Sequence, residues 1–250
     1  MDTMHADSFG SPGNSPILLL HGGGVAGWMW DLLRRSLEPK HQVLVPDLPG
    51  HGRSAEEPYR SHADTVETLA EMLSRQVQRP VAVIGFSLGA QLAVQLAASR
   101  PDLVDRVLVI SAQAKSMPFT QLTLQALGIA SPLVRRRWFA KLQARELFVP
   151  PGLMEQYIRT SAGISRSTMV GAVGENLRFQ IPDGWSRFPG DALIMVGDRE
   201  RFLMRRSAEA LHEALPGSEL DVVDGCGHGI PFQKQEWFAQ RVAGWLASSS

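Results

Sequence analysis

The stretch that decides the fold is AVIGFSLGAQLAVQLA, residues 82–97. It begins as an apolar, β-branched run and continues with leucines four residues apart, which predicts a strand that turns directly into a helix. GFSLG, residues 85–89, lies at this turn and matches G-x-S-x-G, a pattern that presents a serine hydroxyl above the first helical turn. The turn forces the serine into a sparsely populated conformation, and the glycines remove Cβ atoms that would collide with neighbours. Ser87 is therefore a candidate nucleophile.

Short apolar runs and helical stretches alternate along the rest of the chain. The runs are apolar at successive positions, as expected for parallel strands that are covered on both faces. The predicted strands are Ile17–Leu20, Val43–Val45, Val81–Ile84, Val107–Ile110, Leu193–Val196 and Leu220–Val223. The predicted helices between them are Trp30–Leu37, Thr65–Gln76, Leu88–Ser99 and Ser207–Ala214. This alternation predicts an α/β fold with right-handed crossovers.

A serine hydroxyl becomes a good nucleophile only when a base takes its proton, and the base needs a carboxylate to orient it. Both partners follow Ser87 in the chain, each after a predicted strand. Asp198 stands at the strand exit in VGDRE, and His228 stands in the glycine-rich loop GCGHG. The order Ser, Asp, His predicts a catalytic triad of Ser87, Asp198 and His228. Glu200 is the second candidate for the acid.

The loop HGGGVAG, residues 21–27, supports two incompatible interpretations. Its glycines match G-x-G-x-x-G after a strand, the form of a dinucleotide-binding turn, and Asp47 stands near the place where such a fold holds a ribose. The loop also fits an oxyanion hole, in which backbone N–H groups bind the negative charge of a transition state. Ser87 and His228 favour the oxyanion hole, because a dinucleotide fold requires neither of them. Asp47 then belongs to a rigid turn flanked by prolines.

Landmarks in chain order reveal a resemblance that covers residues 18–232: LLLHGGG, DLPGHGRS, GFSLGA, and the pair VGDRE and GCGHG. The chain resembles small α/β-hydrolases of the lid-bearing, esterase- and lipase-like group. The resemblance implies a mostly parallel sheet flanked by helices. It also implies an enzyme that cleaves a small-molecule carboxylic ester through an acyl-enzyme, with water as the second substrate. The backbone N–H groups of Gly23 and Leu88 would form the oxyanion hole.

Two features depart from the pattern of that group. Only 16 residues precede Ile17, which leaves room for at most one short strand or hairpin at the sheet edge. The proline that often follows the acidic residue by a few positions is absent from GDRERFLMRRS.

Residues 113–187 contain no convincing strand and interrupt the alternation. This block is predicted to be a helical lid over the C-terminal edge of the sheet, where open α/β sheets place their sites, and residues 1–112 and 188–250 to be the hydrolase core. The apolar side chains predicted on the inner face of the lid are Met117, Phe119, Trp138, Phe139, Met169 and Val173. The predicted substrate contacts are Gly24, Val25, Phe86, Trp138 and Phe139. They favour an ester with a small to medium apolar acyl group or an aromatic group.

Composition argues against several other classes of function. Lys+Arg and Asp+Glu number 25 each, so no net charge attracts nucleic acid. The sequence has no H-E-x-x-H, C-x-x-C or P-loop motif, so no metal or cofactor is expected. The polar N-terminal stretch has no signal peptide, and no apolar run reaches the ~18 residues of a membrane span. With Cys226 as its single cysteine, the chain is expected to be soluble and cytoplasmic.

Two histidines outside the triad invite a structural interpretation. His21 is predicted to brace the oxyanion loop by hydrogen bonding, and His51 to stabilise its turn. Other reactions remain open, because a fold does not fix a reaction. A lyase, a C–C bond hydrolase and a thioesterase use the same triad, and a Rossmann-type NAD(P)-dependent oxidoreductase is the remote alternative.

Overall fold

A computed structural model describes residues 4–116, 120, 121, 124, 125 and 136–248. Its strands are Ala6–Phe9 (β1), Ser15–Leu20 (β2), His41–Pro46 (β3), Val81–Phe86 (β4), Val104–Ile110 (β5), Asp191–Gly197 (β6) and Glu219–Val223 (β7). They form one sheet in the order β1-β3-β2-β4-β5-β6-β7. β1 runs antiparallel to β3, and every other neighbouring pair is parallel. The six predicted strands and the mostly parallel sheet are confirmed, and β1 is a short edge strand.

Helices connect most of the strands. They are Asp31–Leu37 (α1), His62–Gln76 (α2), Leu88–Ser99 (α3), Arg137–Glu146 (α4), Met154–Gly163 (α5), Arg166–Arg178 (α6), Phe202–Ala214 (α7), Ile230–Gln233 (α8) and Gln235–Ala247 (α9). Short 3-10 turns lie at Gly27–Trp30, Gly52–Ser54, Pro151–Leu153 and Asp183–Arg187. The four predicted helices are confirmed, and α3 has the predicted bounds. No helix within the described ranges is both long and apolar enough to cross a membrane.

The central strands are covered by apolar clusters on both faces of the sheet. Successive side chains of a strand point to opposite faces, so each strand contributes to both clusters. Leu18 and Leu20 of β2 pack in one apolar cluster with residues of α2, α3 and α7. Ile17 and Leu19 pack on the other side, in a cluster with residues of α1 and α9. This two-sided burial explains why the strands are continuous apolar runs rather than alternating ones.

Helices α4, α5 and α6 lie between β5 and β6, within the block 113–187 predicted to be a lid. Tyr157 of α5 is buried in the same apolar cluster as Phe86 of β4, and two alanines of α4 join them. These helices therefore pack on the core, although their action as a lid stays a prediction. Met117 and Phe119, predicted on its inner face, lie outside the described residues.

A buried polar network joins α6 to the core. Gln91 of α3 is fully buried, and its Nε2 donates to the carbonyl oxygens of Gln113, at 2.7 Å, and Asn176, at 3.2 Å. Its Oε1 lies 2.9 Å from Nε2 of His62, whose Nδ1 lies 2.9 Å from the hydroxyl of Tyr59. Because buried polar groups are costly to leave unpaired, this network fixes the segments that carry Gln113 and Asn176.

Candidate active site

Ser87 stands directly between β4 and α3, in a backbone conformation with φ of +52°. Residues other than glycine rarely adopt a positive φ. The turn closes because its glycines lack Cβ: one added at Gly85 would lie 2.3 Å from the carbonyl oxygen of Gly89, and one at Gly89 would lie 2.3 Å from that of Leu20. The N–H of Ser87 donates to the carbonyl oxygen of Ile110 at 2.8 Å, which ties the turn to β5. Close packing therefore maintains a strained serine at the carboxyl edge of the sheet.

His228 follows β7 and lies within hydrogen-bond distance of this serine. Its Nε2 is 3.1 Å from Oγ of Ser87. At Gly229, next to His228, a close approach of the backbone requires glycine. A Cβ there would lie 2.0 Å from the carbonyl oxygen of Leu147, so glycine admits the segment that follows α4.

The structure pairs His228 with Glu200 and not with Asp198, which corrects the predicted acid. Nδ1 of His228 lies 3.0 Å from Oε2 of Glu200. Asp198 continues the line of β6, and its carboxylate interacts with the N–H of Gly225, which lowers its pKa. Two residues later the chain turns back, as the N–H of Glu200 donates to the carbonyl oxygen of Gly197 at 3.1 Å. That tight turn returns the longer glutamate side chain to the sheet edge beneath the imidazole.

The carboxylate of Glu200 is buried and fully engaged. Its side chain is 1% exposed. Oε1 accepts from the hydroxyl of Ser111 at 2.5 Å and from the N–H of Gly197 at 3.2 Å, which leaves Oε2 for His228. Burial raises the pKa of Glu200, but the hydrogen bond and the charge of His228 lower it. The hydrogen bonds from Ser111 and Gly197 lower it further, so the pKa lies below its ordinary value. Glu200 is therefore an ionised acceptor at neutral pH.

The loop after β2 is braced by His21, as predicted. Its buried ring donates from Nδ1 to the carbonyl oxygen of Gly22 at 2.8 Å and accepts at Nε2 from the N–H of Leu48 at 2.8 Å. Burial lowers the pKa of His21, so the ring is neutral. A Cβ added at Gly23 would meet nothing within 4 Å, so this residue borders open space. Leu88 opens α3, where N–H groups of the first turn have no acceptor within the helix.

Asp47 is enclosed in its own turn. Its carboxylate accepts from the N–H of Gly27 at 2.8 Å, and from the N–H and Nε of Arg53 at 2.9 and 3.0 Å. His51, also buried, bonds from Nδ1 to the carbonyl oxygen of Pro49 at 2.9 Å, in keeping with its predicted structural role. Asp47 is thus occupied by protein donors, which removes the ribose partner that the dinucleotide interpretation requires.

A cavity of about 470 Å³ opens beside Ser87 and His228. Leu147, Phe148 and Met204 contribute its described apolar lining. Its polar lining includes Gln113, Glu146, Asn176, Arg199, Arg201 and Gln233. The volume falls within the range of small-molecule sites, and its walls combine apolar surface with groups that can orient a polar ligand.

None of the five predicted substrate contacts is among the described residues that line this cavity. Val25 and Phe86 are fully buried, and the ring of Phe86 packs against that of His228 with centroids 5.2 Å apart. Trp138 of α4 is 60% exposed and contacts Phe139 edge-on. Gly24 is half-buried beside Tyr157 rather than in the cavity wall. The contact of these five residues with substrate stays a prediction.

Cys226 lies two positions before His228 and is buried. Burial raises the pKa of its thiol. A buried thiol with a raised pKa is a small packed side chain and a poor nucleophile. Within residues 4–116, 120, 121, 124, 125 and 136–248, no three His, Cys, Asp or Glu side chains are grouped as metal ligands.

Comparisons with known proteins show the family to which this chain belongs. Residues 17–241 match the model of the Alpha/beta hydrolase family. A pimeloyl-[acyl-carrier protein] methyl ester esterase of Vibrio campbellii is 33% identical over 45% of this chain, which spans only 42% of that protein. A 2-hydroxy-6-oxononadienedioate/2-hydroxy-6-oxononatrienedioate hydrolase of Pseudomonas putida is 27% identical over 97% of this chain and 91% of its own length. The solved esterase of Exiguobacterium antarcticum superimposes with a TM-score of 0.85, at 21% identity over 98% of this chain and 96% of its own. The chain belongs to the alpha/beta hydrolase family.

Proposed function

We propose that this hydrolase cleaves carboxylic esters through an acyl-enzyme formed on Ser87. The observation that carries the proposal is the line of two hydrogen bonds from Ser87 through His228 to the buried carboxylate of Glu200. A carboxylate only accepts hydrogen bonds, so Nδ1 of His228 is the donor to Glu200. The lone pair of Nε2 then faces Oγ of Ser87, in the tautomer that a general base needs.

The reaction proceeds in two halves. Oγ of Ser87 attacks the ester carbonyl carbon while His228 takes its proton, and Glu200 stabilises the imidazolium. The N–H groups of Gly23 and Leu88 bind the oxyanion of the tetrahedral intermediate. The intermediate collapses as His228 gives the proton to the departing alcohol. Water then attacks the acyl-enzyme with His228 again as the base, and the acid and a free Ser87 are released.

The cavity supports a substrate of small to medium size with an apolar acyl or an aromatic group. Leu147, Phe148 and Met204 would contact that group, since they form the described apolar wall beside Ser87. Segment 113–187 is proposed to act as the lid that shapes this wall, because Leu147 and Phe148 belong to it. The esterase name of the Vibrio campbellii relative is consistent with cleavage of an ester.

The proposal is tested by labelling and turnover of one variant pair. Wild-type protein is expected to react with a fluorophosphonate at Ser87 and to hydrolyse p-nitrophenyl butyrate. Ser87→Ala should lose both, with turnover down by at least about 10³-fold. Ser99→Ala is the matched control, because that serine lies exposed at the end of α3 and bonds only within its own helix. Wild-type turnover by Ser87→Ala would remove the serine from the mechanism.

A second candidate is hydrolysis of a C–C bond beside a ketone, which the same three side chains can serve. The relative from Pseudomonas putida favours it, because the alignment spans nearly the whole of both chains. Parallel assays with p-nitrophenyl esters, thioesters and a vinylogous 1,5-diketone distinguish the reactions. Turnover of the diketone with no ester turnover would replace the first proposal by the second.

A further inference from the structure

Ser111 carries the inference, and its backbone conformation is the first observation. It follows β5 directly, is 2% exposed, and has a φ of +55°. Among the described residues other than glycine, only Ser87, Ser111 and Phe148 have a positive φ. Ser87 and Phe148 line the cavity, and Ser111 contacts Glu200. Backbone strain of this kind persists where surrounding structure enforces it and concentrates at functional sites.

The sheet places Ser111 in one row with the nucleophile. Ser87 and Ser111 each follow a strand, and these strands, β4 and β5, are neighbours. The N–H of Ser87 donates to the carbonyl oxygen of Ile110 at 2.8 Å, and the N–H of Ser111 donates to that of Met195 at 2.9 Å. The ladder therefore extends one residue past each strand and fixes Ser111 between Ser87 and the turn that carries Glu200.

We infer that Ser111 is a positioning residue whose hydroxyl fixes the Glu200 carboxylate so that its second oxygen faces His228. The hydroxyl donates to Oε1 at 2.5 Å while Nδ1 of His228 lies 3.0 Å from Oε2. This inference rests on the proposed function only in taking Ser87, His228 and Glu200 as the working groups.

The chemistry of glutamate gives the contact its purpose. The side chain of Glu200 has one more rotatable bond than that of an aspartate. Each free torsion increases the range of positions that the carboxylate can occupy beside His228. Ser111 and the N–H of Gly197 hold Oε1 from two directions, so the carboxylate is pre-organised before the imidazolium forms. A hydrogen bond to a charged, buried acceptor is also among the stronger ones in proteins.

A purely structural role for Ser111 is a weaker explanation. Ser207 and Ser218 are also buried, and their hydroxyls donate to nearby backbone carbonyl oxygens, of Leu203 at 2.7 Å and Leu215 at 2.6 Å, while Nδ1 of His212, six positions from Ser218, lies 2.9 Å from the Ser218 hydroxyl. Neither has a positive φ. Ser111 instead adopts a strained conformation and bonds to a side chain 89 positions away.

The test is a double-mutant cycle with a readout on the nucleophile itself. Ser111→Gly removes the hydroxyl and relieves the positive φ, and Ser111→Ala removes the hydroxyl alone. Each is made in the wild-type and the Glu200→Gln background. The second-order rate of fluorophosphonate labelling at Ser87 is followed by intact mass, with kcat and KM for p-nitrophenyl butyrate beside it. Ser207→Ala is the control, because it deletes an equally buried hydroxyl that bonds only to backbone.

We expect both Ser111 variants to lower the labelling rate and kcat by about 10- to 100-fold, with KM within about twofold of wild type. In the Glu200→Gln background the same changes should alter either rate by less than about twofold, because the positioned group is gone. An undiminished rate in Ser111→Gly, or an equal loss in both backgrounds, would overturn the role of Ser111. Labelling without ester turnover in wild type would overturn ester hydrolysis alone, and absence of labelling at Ser87 would overturn both.

Discussion

Glu200 accepts a hydrogen bond from Nδ1 of His228 at 3.0 Å, although Asp198 stands closer to the end of β6. The four-residue turn from Gly197 to Glu200 decides between the two acids, because it sends Asp198 along the strand direction and brings Glu200 back under the imidazole. Local backbone geometry thus selects the carboxylate that contacts His228. Glu200 is the buried one of the two, whereas Asp198 is partly exposed.

The packing around Ser87 predicts that its turn tolerates no side chain at Gly85. Gly85→Ala should lower the free energy of unfolding by about 1–3 kcal/mol, because its Cβ would lie 2.3 Å from backbone oxygen of Gly89. Gly244→Ala is the control: that glycine lies inside α9 with open space around it, so alanine should stabilise by about 0.5–1 kcal/mol. Urea unfolding measures both. Equal stability of Gly85→Ala and wild type would refute the close-packed turn.

Much of the fold can be predicted from the sequence, since the parallel strands are apolar at successive positions and are buried on both faces. The edge strand β1 has the sequence ADSF and is only partly buried, so it lacks that pattern. Helix α9 was missed although its signal was present: Phe238, Val242 and Trp245 recur at helical spacing and are buried. The pattern of β1 therefore does not predict a strand, whereas the pattern of α9 does predict a helix.

The site was predictable only where it depends on local sequence. The position of Ser87 follows from the five-residue turn GFSLG, and that of His228 from a glycine-rich loop. The structure brings these two side chains together, as predicted. The choice of Glu200 over Asp198 depends on the geometry of the turn after β6. The sequence of that turn lacks the proline common in the group and does not predict its geometry. Ser111 had one available signal, its position directly after a predicted strand at the same sheet edge as Ser87. The cavity lining could not be predicted, because it depends on how α4 packs against the core.

Phe148 is predicted to limit the length of the acyl group. Its ring lines the cavity, and a Cβ at Gly227 would lie 2.9 Å from it, so the ring is held against the loop of the base. Phe148→Ala should raise kcat/KM for p-nitrophenyl octanoate relative to the butyrate by about 10-fold. Phe202→Ala is the control, since Phe202 is 71% exposed and is not among the described cavity residues. An unchanged chain-length preference in Phe148→Ala would place the acyl group elsewhere.

Acid should weaken the contribution of Glu200 to stability. The pKa of its carboxyl lies below the ordinary value of 4.5, so in this range the folded state binds fewer protons than the unfolded state. The stabilisation is complete above about pH 4.5 and is lost as the pH falls through the pKa of the folded state. The free energy of unfolding of wild type minus that of Glu200→Gln should therefore be more positive at pH 7 than at pH 3. Urea titrations at both pH values measure it, and an equal or larger difference at pH 3 would contradict the lowered pKa.

The central claim is that Ser87, His228 and Glu200 act together, and one matched pair of variants tests it most directly. Glu200→Gln and Asp198→Asn each replace a carboxylate by an amide of the same shape, two positions apart. Measured as kcat/KM for p-nitrophenyl butyrate, Glu200→Gln should lose about 10³-fold or more, because an amide can force the wrong tautomer on His228 and cannot stabilise the imidazolium. Asp198→Asn should stay within about threefold of wild type. Loss of activity in Asp198→Asn with wild-type activity in Glu200→Gln would contradict the account.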